Sequence, residues 1–346
     1  MTAAALRAAI IGLGVGERHI AGYEVDPRCR VVTLCDTDAG KLDEVGARHP
    51  GRSLASDPAA VLADPSIDVV SIASYDNAHH AQVLAALRSG KHVFVEKPVC
   101  LHDHELADIR RALAQHPRLR LSSNLILRRS PRFLRLRERL RAGELGAPYY
   151  VEADYNYGRI HKIVDGWRGR IPYYSVVHGG AIHMIDLLLW LLGEKPVAVS
   201  AFGNAIATAR TDFRFNDCVA ALLKFPSGVT AKVTANFGCV FPHHHNVTVY
   251  GTAATFVHDR QGARLHVSRD PDAAAVPIEE PYLGPAKGDM IPSFVAAILD
   301  GTDPDVSADE VFDVMTVSLA VERAAQLEQT ISIPWAHEVP GARCMA

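Results

Sequence analysis

Gly90-Lys91-His92-Val93-Phe94-Val95-Glu96-Lys97-Pro98 is a short apolar run that ends abruptly in two opposite charges and a proline. His92 to Val95 is mostly β-branched or aromatic, opened by Ser89-Gly90 and closed by Pro98, the pattern of a buried strand. Ligands of open α/β sheets bind beyond the carboxyl ends of the strands, so Glu96 and Lys97 are expected where chemistry is done. An isolated lysine is ordinarily a solvated surface group. The flanking sequence decides which reading of Lys97 applies.

Upstream, Ala8-Ala9-Ile10-Ile11 is an apolar strand running into Gly12-Leu13-Gly14-Val15-Gly16, after which Glu17 to Val25 can form a helix. A strand, a glycine turn and a helix start bring backbone N–H groups and the helix dipole onto a pyrophosphate. The next strand, Arg30 to Cys35, ends in Asp36, at roughly the 20-residue spacing of the acid that holds adenosine ribose hydroxyls. That carboxylate repels a 2′-phosphate and no arginine follows it directly, so NAD is favoured over NADP. The other reading makes the glycines a plain turn and Asp36 a helix cap. Lys41 to Arg48, Asp57 to Leu62 and Ala81 to Arg88 read as helices, and Asp68 to Ala73 as a buried strand. Alternating strands and helices predict a parallel, doubly wound sheet, a Rossmann domain over residues 1–122. The loop Ser74 to His80 shares the sheet edge of the glycines and Lys97, so Ser74 and His79 either line the cofactor site or simply open a helix.

With 346 residues, the chain is long for one core, and two domains are expected. It is 48% hydrophobic and 22% charged with a net charge of -3, which gives no reason to expect nucleic acid or an anionic membrane as partner. Six scattered cysteines without a CxxC pair suit buried thiols of a reducing compartment, the cytoplasm by default. The start of the chain lacks a signal-peptide pattern, and the longest apolar run, Leu187 to Leu192, is too short to span a bilayer.

From Tyr149 onward longer β-rich segments dominate: Tyr149–Tyr157, Val197–Ala207, Val219–Phe225, Val229–Phe237, Asn246–Tyr250 and Arg264–Ser268. They predict a second, α+β domain (123–346) built on a large, mostly antiparallel sheet, one face covering the nucleotide domain and the other available to a second subunit. Before it lie an expected strand, Leu121–Leu127, and a basic helix, Pro131–Ala142, whose arginines read as a solvated face or, less often, a phosphate site. Met290–Leu299 and Asp309–Gln326 read as closing helices that pack back toward the first domain, and Thr330–Pro334 as a last strand. His183 and Asp186, three apart, share one helix face after Gly179-Gly180, glycines that permit close approach of a backbone or ligand. Asp186 reads as a satisfied structural acid or a ligand contact. His243-His244-His245 is not expected to hold a metal, because consecutive strand residues point to opposite faces. No metal site is expected elsewhere. His161, Lys162 and Asp165 lie before Trp167 as a loop that is exposed or touches substrate.

The glycine turn with His19 after it, Asp36, the His79 loop and above all Gly90 to Pro98 resemble the Gfo/Idh/MocA family of NAD(P)-dependent oxidoreductases, which act on sugars, cyclitols and related polyols. The resemblance implies that Lys97 approaches the nicotinamide and the substrate hydroxyl, and that His183 and Asp186 belong to the second motif. Two departures stand out: the third glycine of the usual turn falls on Glu17, with Gly16 beside it, and the acid expected four residues before His183 is Gly179, with His178 a possible substitute. The resulting expectation is hydride transfer between NAD and a secondary alcohol of a sugar-like substrate. Lys97 and His183 are the catalytic pair, with His183 as base. Trp167, Arg168, His178, Asp186, Tyr155 and Asn124 face substrate; Gly12, Leu13, Gly14, Val15, Gly16, Asp36, Ser74, His79, Glu96 and Lys97 face cofactor. A homo-oligomer formed through the second sheet is expected. Two rival readings are an enzyme that uses tightly held NAD transiently for elimination or glycosidic cleavage, and a non-catalytic NAD-binding regulator.

Overall fold

The computed structural model describes residues 5–282 and 286–335. The chain divides into two compact units, Met1–Arg129 with Gly284–Met315, and Ser130–Leu283 with Thr316–Ala346. The first unit therefore runs past residue 122 and takes back a later segment. Side chains within it show why: Phe294 packs its ring 5.6 Å from Phe94, Ser122 Oγ donates to the Val306 carbonyl at 2.8 Å, and buried Arg128 pairs with Glu310.

Six strands form its sheet: β1 (Leu6–Ile11), β2 (Cys29–Cys35), β3 (Ser53–Ala55), β4 (Val69–Ile72), β5 (His92–Val95) and β6 (Leu121–Ser123). All pair in parallel, in the order β3-β2-β1-β4-β5-β6. Val93, Phe94 and Val95 are fully buried, as an unbroken apolar run must be when helices cover both faces of a parallel sheet. β1 and β4 are neighbours whose chains leave in opposite directions along the sheet, and the crevice at such a switch point takes the ligand.

The helices follow their caps. Asp38 accepts from Lys41 N at 2.9 Å and Asp57 from Ala59 N at 2.8 Å, opening Ala39–Arg48 and Pro58–Ala63. Local differences from expectation have local causes. The helix expected from Ala81 starts at Asp76, whose carboxylate suits the positive end of the dipole. The one expected over 17–25 is a 3₁₀ turn, Gly16–Arg18, followed by His19–Tyr23. The strand expected over 121–127 stops at Ser123 because Leu125 N turns back onto the Ser123 carbonyl at 2.8 Å. An unforeseen helix, Asp103–Ala114, is started by Glu105, which accepts from Leu101 N at 2.7 Å and His102 N at 3.1 Å.

The second unit carries nine strands: β7 (Pro148–Asn156), β8 (Ala198–Asn204), β9 (Cys218–Lys224), β10 (Thr230–Asn236), β11 (His244–Gly251), β12 (Thr255–Asp259), β13 (Gly262–His266), β14 (Val276–Ile278) and β15 (Ile331–Ser332). Their order is β14-β13-β12-β11-β7-β10-β9-β8-β15, antiparallel throughout except where β10 lies parallel to β7. Alternate residues are buried, Val151, Ala153 and Tyr155 in β7 and Ala231, Val233 and Ala235 in β10, and the apolar helix Ile182–Leu192 lies over these two strands. The other face exposes Phe202 and Leu222 beside charged neighbours such as Lys224.

Three arginines of the basic helix Pro131–Arg141 are engaged by neighbours, while Arg141 is exposed to solvent. Arg132 Nη1 lies 3.1 Å from His258 Nδ1, Arg137 stacks 4.2 Å over Trp190, and Arg139 pairs with Glu144 at 2.7 Å. Cys29, Cys35 and Cys100 are buried free thiols and Cys218 and Cys239 half-buried ones, while Cys344 lies outside the described residues. Among the described residues no helix is long and apolar enough to cross a membrane.

Candidate active site

At the carboxyl edge of the first sheet the glycine turn is fixed by steric need. Gly12 has φ +87°, and a Cβ there would lie 2.5 Å from the Ala73 carbonyl, so this glycine holds the turn against the loop after β4. A Cβ on Gly16 would lie 2.7 Å from Ile10 Cγ2. Gly16 thus provides the close helix-to-strand packing that the displaced third glycine would otherwise supply. Glu17 is left to the surface, where the Arg48 guanidinium, 2.8 Å away, holds its carboxyl below the usual range. Around Gly14 nothing lies within 4 Å of a Cβ position, an open cradle that a side chain would fill. Asp36 Oδ2 accepts from Leu13 N at 2.7 Å and Oδ1 from Asp38 N at 3.0 Å, which fixes the carboxylate and leaves each oxygen a lone pair for a ribose hydroxyl. These features fit a dinucleotide. The Leu13 N–H is engaged by Asp36, and Val15 is exposed on the turn.

Lys97 lies two residues past the end of β5 and is half-buried, and its bond to Pro98 is cis. His79 lies inside the helix Asp76–Arg88 and is fully buried, with Nδ1 2.6 Å from the Pro98 carbonyl and Nε2 3.0 Å from the Ser74 carbonyl. It clips the loop after β4 to the turn after β5. Ser74 Oγ donates to Gln82 at 2.7 Å. Glu96 points into a buried network: Oε1 accepts from Asn124 Nδ2 at 2.6 Å and lies 3.3 Å from His19 Nε2, while His19 Nδ1 is 2.8 Å from Ser71 Oγ. Asn124 also donates to the Lys287 carbonyl at 2.9 Å. Burial works to raise the Glu96 carboxyl, but the His19 contact, the Lys287 charge and the Asn124 amide together hold it down to about 2. A buried anion therefore ties four segments together at the root of Lys97.

In the second unit the chain enters the helix Ile182–Leu192 through one turn of π-helix, Val177–Ala181. Ser175 Oγ accepts from Val177 N at 3.1 Å and His178 N at 3.0 Å and donates to Glu322, whose carboxyl burial pushes up. The glycine pair has a steric reason. A Cβ on Gly179 would overlap the Tyr174 hydroxyl, and one on Gly180 would lie 2.5 Å from Tyr155 Cδ1 and 2.7 Å from Phe237 Cε2. The close approach expected at Gly179-Gly180 is thus made by two tyrosine rings. His183 sits on the first helical turn, 5% exposed, stacked on Tyr155 at 6.1 Å and edge-on to His245 at 6.4 Å. His178 is buried one turn before it, and Asp186 is fully buried one turn after it. Trp167 and Arg168 share the turn Trp167–Gly169, the guanidinium 4.6 Å above the indole. His161 and Lys162 are exposed on the one-turn helix before them.

Sequence reasoning did not single out Tyr174, and it weighed His243 and His245 only as metal ligands, not as neighbours of Tyr155. His243 and His245 flank Tyr155 at 5.2 and 5.0 Å, and His245 Nδ1 bonds the Tyr282 hydroxyl. The signal was available in the period of the strand: residues two apart share a face, and β11 lies beside β7. His244 instead faces His258 at 4.9 Å.

Residues 6–124 match the family profile described as an oxidoreductase family with an NAD-binding Rossmann fold, and residues 133–257 match the GFO/IDH/MocA C-terminal domain. The chain belongs to the GFO/IDH/MocA oxidoreductase family. It is 27% identical over 227 residues to inositol 2-dehydrogenase 2 of Saccharopolyspora erythraea, covering 65% of this chain and 64% of that one. It is 26% identical over 257 residues to scyllo-inositol 2-dehydrogenase (NAD(+)) of Bacillus subtilis, covering 71% and 72%. In fold it is similar to scyllo-inositol dehydrogenase from Lactobacillus casei, solved with NAD(H) and scyllo-inositol, with a TM-score of 0.77 and 19% identity over 95% of this chain and 99% of that one.

Proposed function

We propose that this protein is an NAD-dependent dehydrogenase that oxidises a secondary alcohol of a cyclitol or sugar. The observation that carries the reading is the carboxyl edge of the first sheet, where an open glycine cradle follows β1, a fixed Asp36 carboxylate follows β2 next to it, and Lys97 lies past the end of β5, one strand further along beyond β4. Bound NAD supplies the hydride acceptor. Gly12, Gly14 and Gly16 shape the turn that admits its pyrophosphate, and Asp36 takes the ribose hydroxyls and disfavours a 2′-phosphate.

An alcohol is a weak acid, and its proton must leave to a placed base as the hydride departs; such a base contributes about 10²–10⁴-fold. His183 is that base in this reading, its ring held by Tyr155 so that one nitrogen keeps a fixed direction. Lys97 donates to the substrate oxygen and stabilises charge developing there. Trp167 gives an apolar plate for a ring face, and Arg168, stacked on it, gives a planar fork for hydroxyls. His178 and Asp186 support the His183 turn. Glu96 and Asn124 hold the strand end that presents Lys97, and His79 holds the loop carrying Ser74. The protein acts in the cytoplasm, as a homo-oligomer formed through the sheet face that exposes Phe202 and Leu222.

The test is NADH formation from NAD with a panel of inositols, free sugars, sugar phosphates and nucleotide-sugars. Accumulating NADH with one class is expected. NAD binding without net NADH on any of them would refute the simple dehydrogenase and leave internal recycling of the cofactor or a regulatory role.

A further inference from the structure

We infer that His19 is a positioning residue for Lys97, acting through Glu96, an inference that rests on the dehydrogenase reading above. His19 is fully buried and opens the helix His19–Tyr23, directly after the turn Gly16–Arg18. Its ring reaches across two strands: Nδ1 lies 2.8 Å from the hydroxyl of Ser71 in β4, and Nε2 lies 3.3 Å from Oε1 of Glu96, the residue after β5. β1, β4 and β5 are consecutive in the sheet, so one side chain ties the segment after the glycine turn to the strand end that carries Lys97. A carboxylate is an acceptor only, so Nε2 carries a proton and points it at Glu96; in the neutral imidazole Nδ1 then accepts from Ser71 Oγ.

Lys97 stands between two fixed residues. On one side Glu96 Oε1 takes both the His19 ring and the Asn124 amide, the latter at 2.6 Å. On the other side the Pro98 carbonyl lies 2.6 Å from Nδ1 of His79, a second fully buried histidine. Glu96 and Lys97 share a peptide unit, so a carboxylate held at its far end fixes the backbone from which the lysine leaves. Stability alone gives little reason for this pair, because exchanging a buried ionic pair for packed apolar side chains is often neutral or stabilising. What apolar groups lack is direction, since a hydrogen bond fixes an angle as well as a distance. The Phe94 ring, edge-on at 5.6 Å, holds the imidazole from a further side. Direction matters at this point of the chain: a displacement of about 1 Å in a reacting group can cost about 100-fold in rate, and Lys97 must meet one substrate oxygen.

The test separates the two ring nitrogens. A glutamine amide reaches the place of Nε2 and an asparagine amide that of Nδ1, so His19→Gln keeps a donor for Glu96 while His19→Asn keeps only the Ser71 bond. On the polyol of the panel that the wild type oxidises, at saturating NAD, His19→Asn is expected to lower kcat about tenfold or more and His19→Gln less than about threefold. Substrate KM and NADH affinity are expected to stay within about twofold of wild type in both. In the Lys97→Met background, where no lysine is left to position, His19→Asn is expected to lower the residual rate by less than about twofold. Equal kcat in the two His19 variants overturns the inference, and so does the same fold loss from His19→Asn with and without Lys97, which would mark a purely structural role. If His19→Asn does not fold, Ser71→Ala, which frees the other end of the ring, is compared in the same two backgrounds: a loss confined to the enzyme that has Lys97 is expected, and an equal loss in both overturns the inference. A wild type silent on the whole panel sinks the dehydrogenase reading and this inference with it, whereas an active wild type indifferent to His19→Asn sinks this inference alone.

Discussion

Replacing Glu96 by glutamine keeps the shape of the side chain and an oxygen for the Asn124 amide, but removes the buried charge. The carboxyl has a reference value of 4.5 and is held at about 2 in the folded protein. A carboxyl lowered on folding leaves the folded state with fewer bound protons, so its stabilisation is complete above pH 4.5 and is lost as the pH falls toward 2. The full shift corresponds to about 3 kcal/mol, of which about 2 kcal/mol disappears between roughly pH 6 and pH 3. Glu96→Gln has no such dependence. Urea unfolding followed by circular dichroism at several pH values in this range should therefore show the wild type losing about 2 kcal/mol more than the variant. Hydrogen exchange at the amides of Val93 to Val95 assigns that loss to the first unit, because these residues form β5. Parallel stability curves for the two proteins would refute the reasoning: the carboxylate would then not be held down by His19, Lys287 and Asn124.

Lys97→Met should reduce turnover by about 10²–10⁴-fold while NADH, titrated by its fluorescence, still binds; unchanged turnover would remove Lys97 from the mechanism. Asp36→Asn keeps an acceptor for Leu13 N but not the charge, so the ratio of NADP to NAD affinity should rise about tenfold in paired fluorescence titrations. An unchanged ratio would show that Asp36 does not face the ribose.

The parts of the molecule that could be read from the sequence are those whose causes are local. β5 is an apolar run between a glycine and a proline, and the strand-glycine-acid series of β1 and β2 repeats a pattern about 20 residues long, within reach of inspection. The helix Asp103–Ala114 escaped because its cap is unusual: His102 stands where Ser or Thr normally signals the start of the box completed by Glu105. β3 and β14 escaped because three residues give too short a run for alternation to show. The site was harder for a different reason. Glu96 and Asn124 were both assigned to ligands, yet they meet each other across two neighbouring strand ends, a pairing that neither residue announces alone. Gly179-Gly180 was recognised as a place of close approach, and the approaching groups turned out to be Tyr174 and Tyr155. Tyr174 comes from the segment just before the π-turn, but Tyr155 comes from a strand, and nothing in either neighbourhood states that a ring will rest on a glycine. Such complementarity belongs to the packed molecule. It also explains the missing acid, because a carboxylate at residue 179 and the phenol of Tyr174 cannot occupy the same space, so a chain that keeps this tyrosine seated must keep a glycine there.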